Sequence, residues 1–291
     1  MELRGILPAL VTPFNAAGET DFKVLEQLLE YQLTRGVHGF VPMGSTGEYY
    51  AMSDQERFDV LKCVKEVVGK RGQLVAGANA GSTRDVIRHT EAAKKLGYDA
   101  VLLPPPYYSL PTQKELLAHY RAVLDAVDVE IVLYNFPLRA GVEVGFDVLD
   151  ALADNPRVIA IKESSGNLLR AIEISRRYAS KYQLSCGSDD QAFDFFMWGA
   201  TSWICGPANC LVDPCVKFYN AFTSSDHKKA QAIMSAMYPA MTNLESGKFV
   251  QKVKYGCELA GIPVGETRRP LLPLDAAEKQ ELARLIAAAN V

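Results

Sequence analysis

Short apolar runs rich in β-branched residues recur eight times along the chain with amphipathic stretches between them, and this alternation limits the possible folds more than any other feature. The expected strands are Ile6–Val11, Gly39–Met43, Leu74–Ala78, Ala100–Leu103, Glu130–Tyr134, Val158–Lys162, Tyr182–Cys186 and Ser202–Cys205. Their starts lie 33, 35, 26, 30, 28, 24 and 20 residues apart, room for one helix and two loops each time. Strands that alternate with helices pair in parallel through right-handed crossovers, and eight such units close into a (β/α)8 TIM barrel; a doubly wound open sheet is the alternative. The expected barrel spans residues 1–210. Residues 211–291, alanine-rich and amphipathic with breaks at Gly261-Ile262-Pro263 and Arg269-Pro270, are expected as additional C-terminal helices packed on the barrel in one structural unit.

Several helix starts are written in the sequence. Ser53-Asp54-Gln55-Glu56 and Thr112-Gln113-Lys114-Glu115 fit the capping box, in which a hydroxyl and a carboxylate satisfy free amides at a helix N-terminus. Asp21, Ser82 and Asn167 are weaker caps.

Composition narrows the function. With 291 residues, 48% of them hydrophobic and 22% charged, and a formal charge of -3, the chain makes no electrostatic case for nucleic acid. The N-terminus lacks a basic lead, and no stretch approaches the apolar length of a membrane span, so a cytoplasmic location is expected. The six cysteines include no Cys-x-x-Cys pair and read as reduced core residues, and the four histidines show no metal-ligand spacing. No metal site is expected.

Polar residues that follow barrel strands gather at one rim, where active sites of this fold lie. The chain offers Gly44-Ser45-Thr46-Gly47-Glu48 after strand two, Tyr107 and Tyr108 after strand four, Tyr134 through Arg139 at strand five, Lys162 at strand six and Gly187-Ser188-Asp189-Asp190 after strand seven. Lys162 is a lone cation at the end of an apolar strand. Burial disfavours the charged form of a lysine, and a neutral amine attacks carbonyls, which is Schiff-base chemistry; the plainer reading is a strand-end lysine whose stem packs and whose ammonium reaches water. Such chemistry on a 2-oxo acid needs a carboxylate anchor, which the Ser45-Thr46 turn can supply, and a proton shuttle, which Tyr134 can supply if strands five and six are neighbours. Arg139, on a loop, can clamp the carboxylate of an aldehyde substrate. Glu48 can brace its turn, and Asp189 and Asp190 can cap a helix.

Four motifs stand in order: Gly44-Ser45-Thr46-Gly47-Glu48, Tyr107-Tyr108, Tyr134-Asn135-x-Pro137-x-Arg139 and Ile161-Lys162-Glu163-x-Ser165-Gly166. In that order and spacing the chain resembles the dihydrodipicolinate synthase / N-acetylneuraminate lyase family over nearly its whole length. The resemblance implies a (β/α)8 barrel with C-terminal helices, a homotetramer built as a dimer of dimers, and a Schiff base between lysine and pyruvate or a related 2-oxo acid, with no metal or organic cofactor. It makes Lys162 the imine-forming residue, Tyr134 the proton donor and acceptor, and Ser45 and Thr46 the binders of the pyruvate carboxylate, with Thr46 linking Tyr134 into a hydroxyl relay. It makes Tyr108 the residue that reaches into a neighbouring subunit's site, and Gly187 and Ile204 lining residues of the pyruvate pocket. Arg139 matches the arginine that synthases use for the carboxylate of aspartate semialdehyde, and it favours condensation of pyruvate with that aldehyde.

The chain departs from the synthase pattern at Leu138 and Ala140 around that arginine, in the longer Gly187-Ser188-Asp189-Asp190, and at Ile204-Cys205-Gly206-Pro207. A 2-keto-3-deoxy sugar acid aldolase or dehydratase, or an N-acetylneuraminate lyase-like enzyme, is therefore the alternative within the family. Outside it stand a metal-dependent aldolase or hydrolase on the same barrel, which a chelator would disable, and a noncatalytic 2-oxo acid sensor, which would bind pyruvate without trapping it.

Overall fold

The computed structural model describes Met1 to Ala289. Its strands are β1 (Gly5–Pro8), β2 (Gly39–Phe40), β3 (Gln73–Gly77), β4 (Ala100–Leu103), β5 (Glu130–Asn135), β6 (Val158–Glu163), β7 (Gln183–Cys186) and β8 (Ser202–Cys205). Between them lie α1 (Phe22–Thr34), α2 (Asp54–Val68), α3 (Thr83–Leu96), α4 (Gln113–Ala126), α5 (Pro137–Ala140), α6 (Phe146–Leu152), α7 (Leu168–Tyr178) and α8 (Ala192–Met197). After the last strand come α9 (Val212–Thr223), α10 (His227–Glu245), α11 (Phe249–Leu259) and α12 (Ala276–Ala289). The strands form one sheet in the order β1-β8-β7-β6-β5-β4-β3-β2, the sequential order of a (β/α)8 TIM barrel, here with C-terminal helices.

Contacts divide the chain into two compact units, one of Met1–Arg4 with Gln73–Ile204 and one of Gly5–Gly72 with the chain from Cys205 onward. In the first unit β3 to β8 form a continuous parallel ladder, and β4, β6 and β8 are buried along their whole length. Strands covered on both faces read as unbroken apolar runs, which is why they were visible without alternation. One row of that ladder carries Tyr134, Lys162, Ser185 and Ser202 across four neighbouring strands. Residues two apart share a face of a strand, so Tyr134 and Lys162 face one way while Asn135 and Glu163, the next registered pair, face the other. The helices bury apolar stripes: α7 turns Ala171, Ile174 and Tyr178 inward, and each fully buried Ile or Leu of such a stripe contributes about 1.5–3 kcal/mol.

In the second unit β1 continues into a parallel bridge between Ala9 and Val41, and Ala9 N–H donates to Cys205 O (2.8 Å). Asn209 fastens the same corner: its side-chain oxygen accepts from Val11 N–H (3.1 Å) while its amide donates to Ala9 O (2.9 Å). The capping boxes at Ser53 and Thr112 form as the sequence predicts, and Asp21, Ser82 and Asn167 each cap their helix. Some expectations need correction. β1 ends at Pro8, with only the bridge at Ala9 beyond it, and not at Val11. β2 ends at Phe40, because by Met43 the chain has entered the left-handed region (φ 60°). Arg139 lies on the short helix α5, started by Pro137 at its first position, and not on an open loop.

Candidate active site

Lys162 is the penultimate residue of β6, 6% exposed, and its amine stands 4.5 Å from the centre of the Tyr134 ring on the neighbouring strand. Parallel register places the two residues directly opposite each other. Two residues on, Phe136 lies against Tyr134 (ring centres 5.9 Å apart), and the Arg139 guanidinium sits 5.6 Å from the Phe136 ring. The order Lys162, Tyr134, Phe136, Arg139 thus runs from a buried amine to an exposed cation along one aromatic wall.

Gly187, just past β7, forms the other wall. A β-carbon there would lie 1.9 Å from Ser164 Oγ, 2.7 Å from Lys162 Cε and 2.9 Å from Glu163 O, so glycine is demanded by space. The same figures bring Ser164 Oγ close to the lysine stem, and this buried hydroxyl has no hydrogen-bond partner among the described residues. Sequence reasoning missed Ser164; its one signal was a position two residues after Lys162, on the same face of the chain. Ile204 is fully buried on β8. The Asp189 carboxylate accepts from the buried Trp203 indole N–H at 2.9 Å.

Behind the lysine and tyrosine lies a buried polar network that sequence reasoning also missed. The Glu163 carboxylate, 1% exposed, accepts from Asn135 Nδ2 (3.1 and 2.9 Å), Ser165 N–H (2.7 Å) and Arg170 Nε (3.0 Å). A buried carboxylate is tolerable only when paired and hydrogen-bonded in this way. Arg170 spans the gap from α7 because it is the third residue of that helix, capped by Asn167.

Ser45 and Thr46 lie in the second unit, on a 3-10 turn Ser45–Gly47 that follows β2. Thr46 is buried and Ser45 half-buried. Thr12 Oγ1 donates to Gly47 O (2.7 Å) and fixes the turn from below. Glu48 leaves the turn in the left-handed region (φ 56°), unfavourable for a residue with a β-carbon, and its side chain accounts for its presence. That carboxylate pairs with Lys254 (2.7 Å) and accepts from Arg268 N–H (2.9 Å), so Glu48 braces the turn. The Lys254 amine also donates to Glu266 O (2.9 Å) and lies over the Phe14 ring (4.1 Å). Burial pulls the Lys254 amine below the usual lysine range, and Glu48 opposes that shift. The Arg268 guanidinium beside Glu56 holds that carboxyl at about 2 and donates to Ala51 O (2.8 Å).

Tyr108 joins none of these groups. It stands on the loop after β4, 96% exposed, with φ 71°.

A barrel that walls in an amine at the end of its sixth strand can hold imine chemistry, and the relatives of this chain place it among the lyases. More narrowly, the chain belongs to the dihydrodipicolinate synthetase family, whose model matches residues 2–289. It is 36% identical over 287 residues to a 4-hydroxy-tetrahydrodipicolinate synthase of Geobacter metallireducens, with 97% of each chain covered. Among solved structures, it superposes with a TM-score of 0.95 on the chloride-inhibited dihydrodipicolinate synthase of Acinetobacter baumannii complexed with pyruvate, at 32% identity and 99% coverage of each chain. The 4-hydroxy-tetrahydrodipicolinate synthase of Methylacidiphilum fumariolicum also matches with a TM-score of 0.95, at 29% identity, covering 99% of this chain and 96% of that one. No helix among the described residues is long and apolar enough to cross a membrane.

Proposed function

We propose that the chain condenses pyruvate with aspartate semialdehyde through an imine on Lys162, the reaction of a 4-hydroxy-tetrahydrodipicolinate synthase. The observation that carries this reading is the buried Lys162 amine 4.5 Å from the Tyr134 ring, in a chain of this family. The neutral amine attacks the C2 carbonyl of pyruvate, and loss of water leaves the imine. Removal of a proton from C3 gives the enamine, whose C3 forms the new bond to the aldehyde carbon. The Tyr134 hydroxyl takes up and returns the protons of these steps, with Thr46 linking it into a relay. Ser45 and Thr46 bind the pyruvate carboxylate, Gly187 and Ile204 line its pocket, and Arg139 holds the carboxylate of the aldehyde.

The exposure of Tyr108 supports its proposed reach into a second subunit's site, within a homotetramer arranged as a dimer of dimers. Residues 1–210 act as the catalytic barrel, residues 211–291 as its helical extension, and the enzyme works in the cytoplasm without a metal or organic cofactor. The test is borohydride reduction in the presence of pyruvate, read by intact-protein mass spectrometry. The parent chain is expected to gain one pyruvate-sized adduct and Lys162→Ala none. A folded Lys162→Ala protein that still gains the adduct would remove Lys162 from the mechanism.

A further inference from the structure

We propose that Asn135 is a latch that holds the Arg139 segment in one shape, and that it sets the enzyme's affinity for the second, carboxylate-bearing substrate. The inference rests on the reading of Arg139 as the anchor of that carboxylate.

Asn135 ends β5 and is completely buried. Its Oδ1 accepts from Val144 N–H at 2.9 Å, which closes the chain on itself across residues 136–143. Its Nδ2 donates to both oxygens of Glu163, so the closure is anchored to β6 beside Lys162. Two further ties hold the same downstream end. Arg170 pairs with the Glu143 carboxylate (3.1 Å) and donates to Val144 O. Gln113 of α4 donates to Glu143 O (2.9 Å) and accepts from Gly145 N–H (2.8 Å). The exit from α5 is fixed as well: Gly141 has φ 72°, and a β-carbon there would come within 2.4 Å of Leu110 Cδ2. The segment is therefore fastened at both ends, while Leu138 and Arg139 at its tip stand exposed.

The residue type fits the task. Among uncharged side chains only an amide offers two N–H donors, one for each carboxylate oxygen, together with an oxygen that accepts from a backbone N–H. Aspartate would lose both donors and set a second carboxylate against Glu163, and alanine would leave the buried Val144 N–H unpaired. A guanidinium on a loosened segment samples many positions, and two-point recognition of a carboxylate is sensitive to shifts of about 1 Å. Tyr134 and Lys162 are held by the backbone ladder of β5 and β6, which does not depend on this side chain. Asn135 is thus a positioning residue whose effect falls on one of two substrates.

The experiment measures steady-state kinetics and pyruvate trapping for Asn135→Asp and Asn135→Ala, alone and combined with Arg139→Ala. The expected result is a rise of about tenfold or more in KM for aspartate semialdehyde, with KM for pyruvate and the rate of borohydride trapping within about threefold of the parent. On the Arg139→Ala background the Asn135 substitutions are expected to add nothing further, because both act through one guanidinium. Equal changes for both substrates, or an unchanged aldehyde KM, would overturn the latch. If the Asn135 variants do not fold, Gln113→Ala loosens the same end from outside and is expected to show the same split at smaller size; its absence would overturn the proposal equally. Failure of the parent chain to trap pyruvate would instead remove the catalytic reading itself.

Discussion

At Gly187 one hydrogen atom in place of a methyl group leaves the lysine stem its place. A β-carbon there overlaps Ser164 Oγ and crowds Lys162 Cε. Gly187→Ala is expected to leave a folded protein that forms the borohydride-trapped adduct at least about tenfold more slowly, because the methyl displaces the lysine stem from its place. Trapping at the parent rate would show that the stem moves freely. At this scale the sequence was legible where a residue contradicted its surroundings, as Lys162 does as a cation in an apolar run; Arg139 was legible only through the motif it closes. Glu163 and Arg170 were opaque, because each looks like an ordinary surface charge until the fold puts one 3.0 Å from the other. Ser164 was opaque for a different reason, since a serine hydroxyl says nothing about whether it is buried.

Among the elements, α4 joins a legible feature to a hidden one. Its capping box at Thr112 and Glu115 was plain in the sequence because both partners sit at fixed spacing. His119, two turns in, is buried; its Nδ1 meets the Thr83 hydroxyl at 2.9 Å, and burial pushes its pKa down to about 4. A histidine held below its unfolded value contributes stability that is complete above the unfolded value and lost as the pH falls toward the folded one. Acidification from about pH 6.5 to pH 4 is therefore expected to destabilise the protein by up to about 2–3 kcal/mol through this group. Replacing it by His119→Gln should flatten that part of the profile in urea unfolding; an unaltered profile would mean that other groups carry the acid dependence. The strands were legible as elements and imprecise at their ends: β5 and β6 each run one residue beyond the apolar pattern, into Asn135 and Glu163. A polar residue at a strand end reads as a loop until its partner is known.

For the whole chain, the alternation of runs gave eight β/α units and left a closed barrel and a doubly wound open sheet both open; the resemblance pointed to the barrel, and the sequential strand order is that of a (β/α)8 barrel with C-terminal helices. What the alternation could not carry was the pairing of distant residues. Nothing near Glu48 announces that its partners are Lys254 and Arg268. Both members of the Glu48–Lys254 pair are almost fully buried, so Lys254→Met strands a carboxylate and is expected to cost about 3–5 kcal/mol in urea or thermal unfolding. A loss under 1 kcal/mol, the size of an exposed pair, would show that water reaches the carboxylate.

That pairing also has a bearing on how the protein is made. Glu48 and the backbone amide it holds at Arg268 are 220 residues apart. On a ribosome adding about 5–20 residues each second, the turn with Ser45 and Thr46 waits roughly 10–40 s for its brace to be synthesised. During that interval its acid lacks both Lys254 and the Arg268 amide, so this turn takes its braced form only after residue 268 has been made.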